Sequence, residues 1–267
     1  MSTLLIELLT DLTDETSEVD GLVANLSSDL WRSPTPAAGW SIQNQMTHLA
    51  YFDDATILAL TSPDEFRRQA ADLVKRSSDF PNLLVREFDN LEPIEVLRWF
   101  RQSRESLLEV FAAHDASVRL PWFGPDMNLA SSITARLMET WAHGTDVADA
   151  LKVVRIPASR LRHIAHLGVQ TRTFSYSLRG MEPSTTPVVV ELVAPDGSTW
   201  RWGPEGAHDF VRGPALDFCY VVTQRRHLDD TSLEVVGLDA TEWIQIAQAY
   251  AGVPGSGRWP LNSFEEH

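Results

Sequence analysis

Apolar residues recur along 2–31 at Leu5, Leu8, Leu9, Leu12, Val19, Leu22, Val23, Leu26 and Leu30. Steps of three and four predict an amphipathic helix, with a slip of phase over 13–17. Pro34 and Pro36 end that pattern. Gly39-Trp40-Ser41 then opens a second helix with Ser41 as its cap, and Leu49, Phe52, Ile57 and Leu60 carry the stripe to Pro63. Residues 64–78 read as an exposed, charged extension or short helix. Pro93 suits the first turn of a third long helix reaching about His114, with Ile94, Leu97, Phe100, Leu107, Leu108 and Phe111 on its apolar face. The loop LPWFGPDMN follows, and Asn128 is placed to cap a fourth long helix ending near Leu151. Four long amphipathic segments predict a four-helix bundle.

Beyond Leu151 the pattern changes. Pro157 opens a helix running roughly to Leu178. VVVELVAPDGSTWRWGP predicts a hairpin: β-branched residues lead in, Asp196-Gly197 turns, and Trp200 and Trp202 alternate on the return. ALDFCYVVTQRR predicts a helix after Gly213-Pro214, LEVVG a short strand and 241–250 a closing helix. The tail from Gly252 shows no element signal. The expected architecture is therefore an all-α unit, 1–152, followed by a small α+β unit, 153–267.

The chain has 267 residues and a net charge of −15, and its Arg67-Arg68 and Arg225-Arg226 pairs are isolated, so no basic stripe exists for nucleic acid. The single cysteine, Cys219, excludes an intramolecular disulfide; its apolar setting, LDFCYVV, predicts a buried, inert thiol. No apolar run is long enough to cross a bilayer, and the acid-interrupted amino terminus is not a signal peptide. The expectation is a soluble, cytoplasmic monomer or homodimer that meets a small-molecule substrate and neither nucleic acid nor membrane.

The chemistry-bearing stretch is ASSITARLMETWAHGTDVADAL. Glu139 and His143 stand one helical turn apart on one face, where they can share a proton or ligate one cation. A third ligand must come from elsewhere, and His48, on the second helix, is the candidate. Taken singly, each is an ordinary residue: a packed histidine, or a glutamate salt-bridged to Arg136. Asp146 can accept the second ring N–H of His143, or be an ordinary surface acid. Asp53 and Asp54 share the face of His48 only loosely and read as solvated. No GxSxG, Cys-x-x-Cys, P-loop or GxGxxG signature occurs.

GWSIQNQMTHLAYF followed by RLMETWAHGTDVADAL resembles the amino-terminal bundle of mycothiol-dependent maleylpyruvate isomerase-like proteins, within the DinB-like metalloenzyme superfamily. The matching positions are Gly39, Trp40, Ser41 and His48, then Arg136, Glu139, His143 and Asp146. WFGP at 122–125 adds a likeness to an actinobacterial subgroup of unassigned activity. The resemblance implies a DinB-like bundle followed by a sterol-carrier-like α+β domain. It also implies a divalent metal, zinc foremost and nickel or iron as alternatives, on His48, Glu139 and His143. Three protein ligands leave positions open, as in catalytic sites. Asp146 then orients His143, Arg136 pairs with a carboxylate of the site, and Arg225 corresponds most closely to a substrate-assisting arginine, Arg226 less well.

The function so implied is a metal-dependent transferase or isomerase using mycothiol as cosubstrate. Two alternatives stand beside it. One is a metal-dependent hydrolase, hydratase or lyase using metal-bound water; the other is a non-catalytic metal- or apolar-ligand-binding protein. Trp122, Phe123 and Trp141 are candidates for an apolar wall near the metal, or simply for core.

Overall fold

The computed structural model describes residues 2–255 and 257–261; the rest of the featureless tail lies outside them. The chain forms two compact units, Met1–Arg155 and Ile156–His267. The division falls three residues beyond the expected 152, because Arg155 ion-pairs with Glu15 and Glu18 of the first unit.

In the first unit, α1 (Thr3–Val23) runs unbroken through the phase slip expected over 13–17. Thr13, Thr16 and Ser17 satisfy their hydroxyls on carbonyls four residues earlier, so the helix runs through the polar stretch with these groups paired. α2 (Ser28–Trp31) is a single turn. α3 (Ile42–Thr61) starts at Ser41 with a reciprocal capping box to Asn44. α4 (Pro63–Arg76) covers the charged stretch and is largely exposed. α5 (Phe80–Glu87) was not expected from the pattern; at eight residues it is too short for a clear period. α6 (Pro93–Ala113) and α7 (Leu129–Leu151) match the third and fourth long helices, α7 capped by Asn128 and closed by Lys152 in the left-handed region. Between them β1 (Arg119–Leu120) and β2 (Met127–Asn128) pair antiparallel across the WFGP loop.

α1, α3, α6 and α7 form the bundle. Its core is in two parts. One cluster gathers Leu8, Leu12, Leu107, Phe111, Ile133 and Leu137; the other gathers Val19, Met46, Leu49, Val96, Phe100 and Val147. Between them in sequence on every helix lie buried polar residues: Glu15, Asp53, Arg104 and Thr140.

In the second unit, the helix expected over 157–178 is divided into α8 (Leu161–Gln170) and α9 (Arg172–Leu178). β3 (Val188–Val193) and β4 (Thr199–Trp202) make the expected hairpin, Leu192 opposite Trp200. β5 (Asp209–Pro214), which the pattern did not announce, pairs parallel with β3. α10 (Ala215–Val222), β6 (Glu234–Val236) and α11 (Leu238–Ile246) complete it, and the sheet order is β4-β3-β5-β6. α10 stops before the expected TQRR, since Gln224 adopts φ 58° and turns the chain. Among the described residues no helix is long and apolar enough to cross a membrane.

Candidate metal centre

His48 comes from α3, and Glu139 and His143 lie one turn apart on α7. The packing of α3 against α7 brings them together. His48 Nε2 and His143 Nε2 each stand 3.1 Å from the same oxygen, Glu139 Oε2, and the two imidazole centroids are 4.2 Å apart. One donor atom from each residue lies within 4.8 Å of those of the others. Both histidines are buried, while the Glu139 side chain keeps 20% of its surface exposed, so the cluster is not sealed.

A chain of hydrogen bonds sets the protonation of His143. The Thr35 hydroxyl donates to the Trp40 carbonyl at 2.8 Å, which leaves its oxygen to accept from Gln45 Nε2, also at 2.8 Å. The Gln45 amide is thereby oriented, and its Oε1 faces His143 Nδ1. An amide oxygen only accepts, so Nδ1 carries the proton and donates. In the neutral ring Nε2 then presents a lone pair to Glu139. Burial works against the charge of Glu139, but where the imidazoles are protonated their Nε2–H groups donate to it, and those hydrogen bonds and positive charges hold its carboxyl well below the usual carboxylate range. A carboxylate oxygen facing two ring nitrogens calls for a proton or a cation among them.

Aromatic rings wall the cluster. Trp40 stacks on His143 with centroids 5.8 Å apart and tilts against His48 at 5.4 Å. Phe52 lies 4.5 Å from His48 and is backed by Trp122 at 6.1 Å and Phe123 at 5.7 Å. Trp122 and Phe123 therefore meet the site through Phe52. Trp141 is buried in α7.

Three expectations from spacing are corrected. The partner of the second ring nitrogen of His143 is Gln45, reaching across from α3, where spacing along α7 had pointed to Asp146; Asp146 is itself buried. Arg136 pairs with Asp53 at 2.8 Å rather than with Glu139. Asp53 is fully buried, not solvated: Arg104 also binds it, donating from Nε to Oδ2 at 2.7 Å. Arg104 further donates to Thr140 at 3.0 Å, so this ion cluster holds the backbone turn that carries Glu139. Arg225 lies in the second unit just past α10, where its backbone N–H meets the Tyr220 carbonyl and its side chain donates to the Thr223 carbonyl at 2.7 Å. Arg226 lies over the Tyr220 ring. Cys219 is fully buried, and burial pushes its thiol far up, in keeping with an inert side chain.

Gln45, Thr35 and Trp40 are the site residues that motif reading did not single out for a role. Gln45 offered one signal: three residues before His48, it shares that helix face.

A four-helix bundle that converges two imidazoles and one carboxylate from facing helices defines the class of bundle proteins whose sites are built from inward-projecting Glu and His. Residues 12–148 match the family described as the mycothiol maleylpyruvate isomerase N-terminal domain, and the chain belongs to that family. Two uncharacterized proteins of Mycobacterium tuberculosis, from strains CDC 1551 / Oshkosh and ATCC 25618 / H37Rv, are each 45% identical over 248 residues, covering 93% of this chain and 96% of theirs. Crystal structures of the mycothiol-dependent maleylpyruvate isomerase and of a histidine-to-alanine mutant of it share the fold. They superpose with a TM-score of 0.59 at 18% and 17% identity, covering 86% of this chain and 94% of theirs.

Proposed function

We propose that the protein is a metal-dependent enzyme that uses mycothiol as cosubstrate to transfer or isomerise a small organic molecule. The observation that carries the reading is the pair of imidazole Nε2 atoms on one carboxylate oxygen, with Gln45 holding His143 in the ligating tautomer. Two nitrogens and one carboxylate oxygen suit zinc, nickel or iron(II). Membership of the mycothiol maleylpyruvate isomerase family supports the choice of thiol.

His48, Glu139 and His143 are the ligands in this reading. A divalent cation held there supplies a Lewis acid that lowers the pKa of a thiol or water coordinated to it. Gln45 keeps the proton of His143 on Nδ1, so the ring neither loses its orientation nor turns its N–H toward the site. Glu139 contributes negative charge that is already present at neutral pH. Trp40 and Phe52 exclude water from two sides of the imidazoles.

Elemental analysis of the purified protein tests the reading first. About one divalent metal per chain is expected, and none after His143→Ala. Titration of the cobalt-substituted protein with mycothiol should then shift its visible spectrum. Metal retained in full by the variant refutes the ligand set, whereas turnover of substrate with no thiol present moves the activity to the water-based hydrolase, hydratase or lyase class.

A further inference from the structure

A pocket lies in the first unit, between α3, α4 and α6, on a part of α3 roughly a quarter-turn around the helix from His48. Its volume is about 320 Å³, within the range of small-molecule sites. Its walls are largely rings: Tyr51, Phe66, Phe88 and Trp99 line it, with Phe88 4.9 Å from Trp99 and 6.3 Å from Tyr51. Among the described residues that line it, Asp54 is the only charged one. Asp54 Oδ2 accepts the Trp99 indole N–H at 2.6 Å, which fixes the carboxylate against the aromatic wall. The nearby cation, Arg76, is ion-paired with Glu87.

We propose that this pocket binds a small organic cation of the alkylammonium class, with Asp54 as counter-ion and Tyr51, Phe88 and Trp99 as the aromatic wall. Ring faces are electron-rich and attract a cation, and they do so most strongly for one that is weakly hydrated. The carboxylate adds a full opposite charge beside them. Partial desolvation, helped by the adjacent Asp53, pushes the Asp54 carboxyl upward against the opposing hydrogen bond from Trp99, a cost that a bound cation relieves. A neutral ligand of the same shape would gain the apolar contact but neither electrostatic contribution, and an anion would face both the rings and the acid. The pocket is therefore built to discriminate by charge. The proposal is independent of the metal centre, since none of the three ligands lines the pocket.

The test compares choline with its neutral isostere, 3,3-dimethylbutan-1-ol, on the full-length protein. The readout is the ¹⁵N–¹H resonance of the Trp99 indole, assigned with Trp99→Phe. Choline should shift that resonance saturably, with the alcohol binding at least about tenfold more weakly, as expected when a cation–π contact and a carboxylate act together. Asp54→Asn should weaken choline severalfold, leaving only the advantage that the rings give a cation over the alcohol, with the alcohol unchanged. Phe88→Leu, which keeps an apolar wall, should weaken choline more than the alcohol. Equal binding of the two probes, undiminished choline binding by Asp54→Asn, or no saturable shift with choline would each overturn the proposal; equal binding would mark the pocket as one for neutral apolar ligands.

Discussion

At the residue scale, the relay from Trp40 through Thr35 and Gln45 to His143 is what fits three nearby side chains to serve as the proposed ligand set. It assigns the proton of His143 through the Gln45 amide oxygen. Gln45→Leu removes the acceptor and leaves the ring free to change tautomer. Metal affinity, measured by competition with a chelator, should fall by about 10- to 100-fold, the usual effect of losing such an outer partner. Gln45→Glu, which keeps the acceptor, should hold affinity near that of the parent. Spacing was enough to bring His48, Glu139 and His143 forward as candidates, because helical periodicity puts Glu139 under His143. It could not find Gln45, since that contact crosses between helices 98 positions apart in the chain. The same limit explains Asp146 and Arg136: sequence offers partners along one helix, and the observed partners came from another.

At the element scale, α7 is held against α1 by a close approach at Gly144. A Cβ built there would lie 2.5 Å from Val19 Cγ2, a fully buried and rotationally stiff side chain. Gly144→Ala gains helix propensity of up to about 1 kcal/mol, but overpacking costs about 1–3 kcal/mol. The variant should therefore lose about 1 kcal/mol in urea unfolding, and in a Val19→Ala background the same change should instead stabilise. Long elements were legible because many residues vote for one phase, as in α1, α3, α6 and α7. Two short ones were not: α5 spans two turns, and β5 ends in Gly213-Pro214, a pair that reads as a turn and not as a strand. The end of α10 was missed for a different reason. Its apolar run ends at Val222, but TQRR carries no glycine or proline to mark a stop, and only the positive φ at Gln224 shows that Arg225 lies outside the helix.

At the scale of the whole molecule, a buried polar layer divides the bundle core. Asp53 sits between Arg104 and Arg136, both almost fully buried, and the layer touches all four helices through Thr16, Asp53, Arg104 and Arg136. A buried pair of this kind adds little net stability relative to an apolar core, but removing one partner strands the other charge. Asp53→Ala should cost about 3–5 kcal/mol in equilibrium denaturation, a large share of the ~5–15 kcal/mol of a typical domain. Replacement of Asp53, Arg104 and Arg136 together by apolar residues should cost less than the single change. The layer also adjoins Glu139 through Thr140, so the single variant should loosen metal binding as well as the fold.

What the chain determined by itself was local: the four long helices, their caps at Ser41 and Asn128, the hairpin turn at Asp196-Gly197, and a carboxylate and imidazole one turn apart on α7. Each follows from periodicity or backbone preference within a few residues. The tertiary structure alone decided which polar groups face one another. Burial makes every unpaired donor, acceptor or charge costly, so partners are chosen across the packed interface of α3, α6 and α7. That choice placed Gln45 on His143 and Asp53 between two arginines.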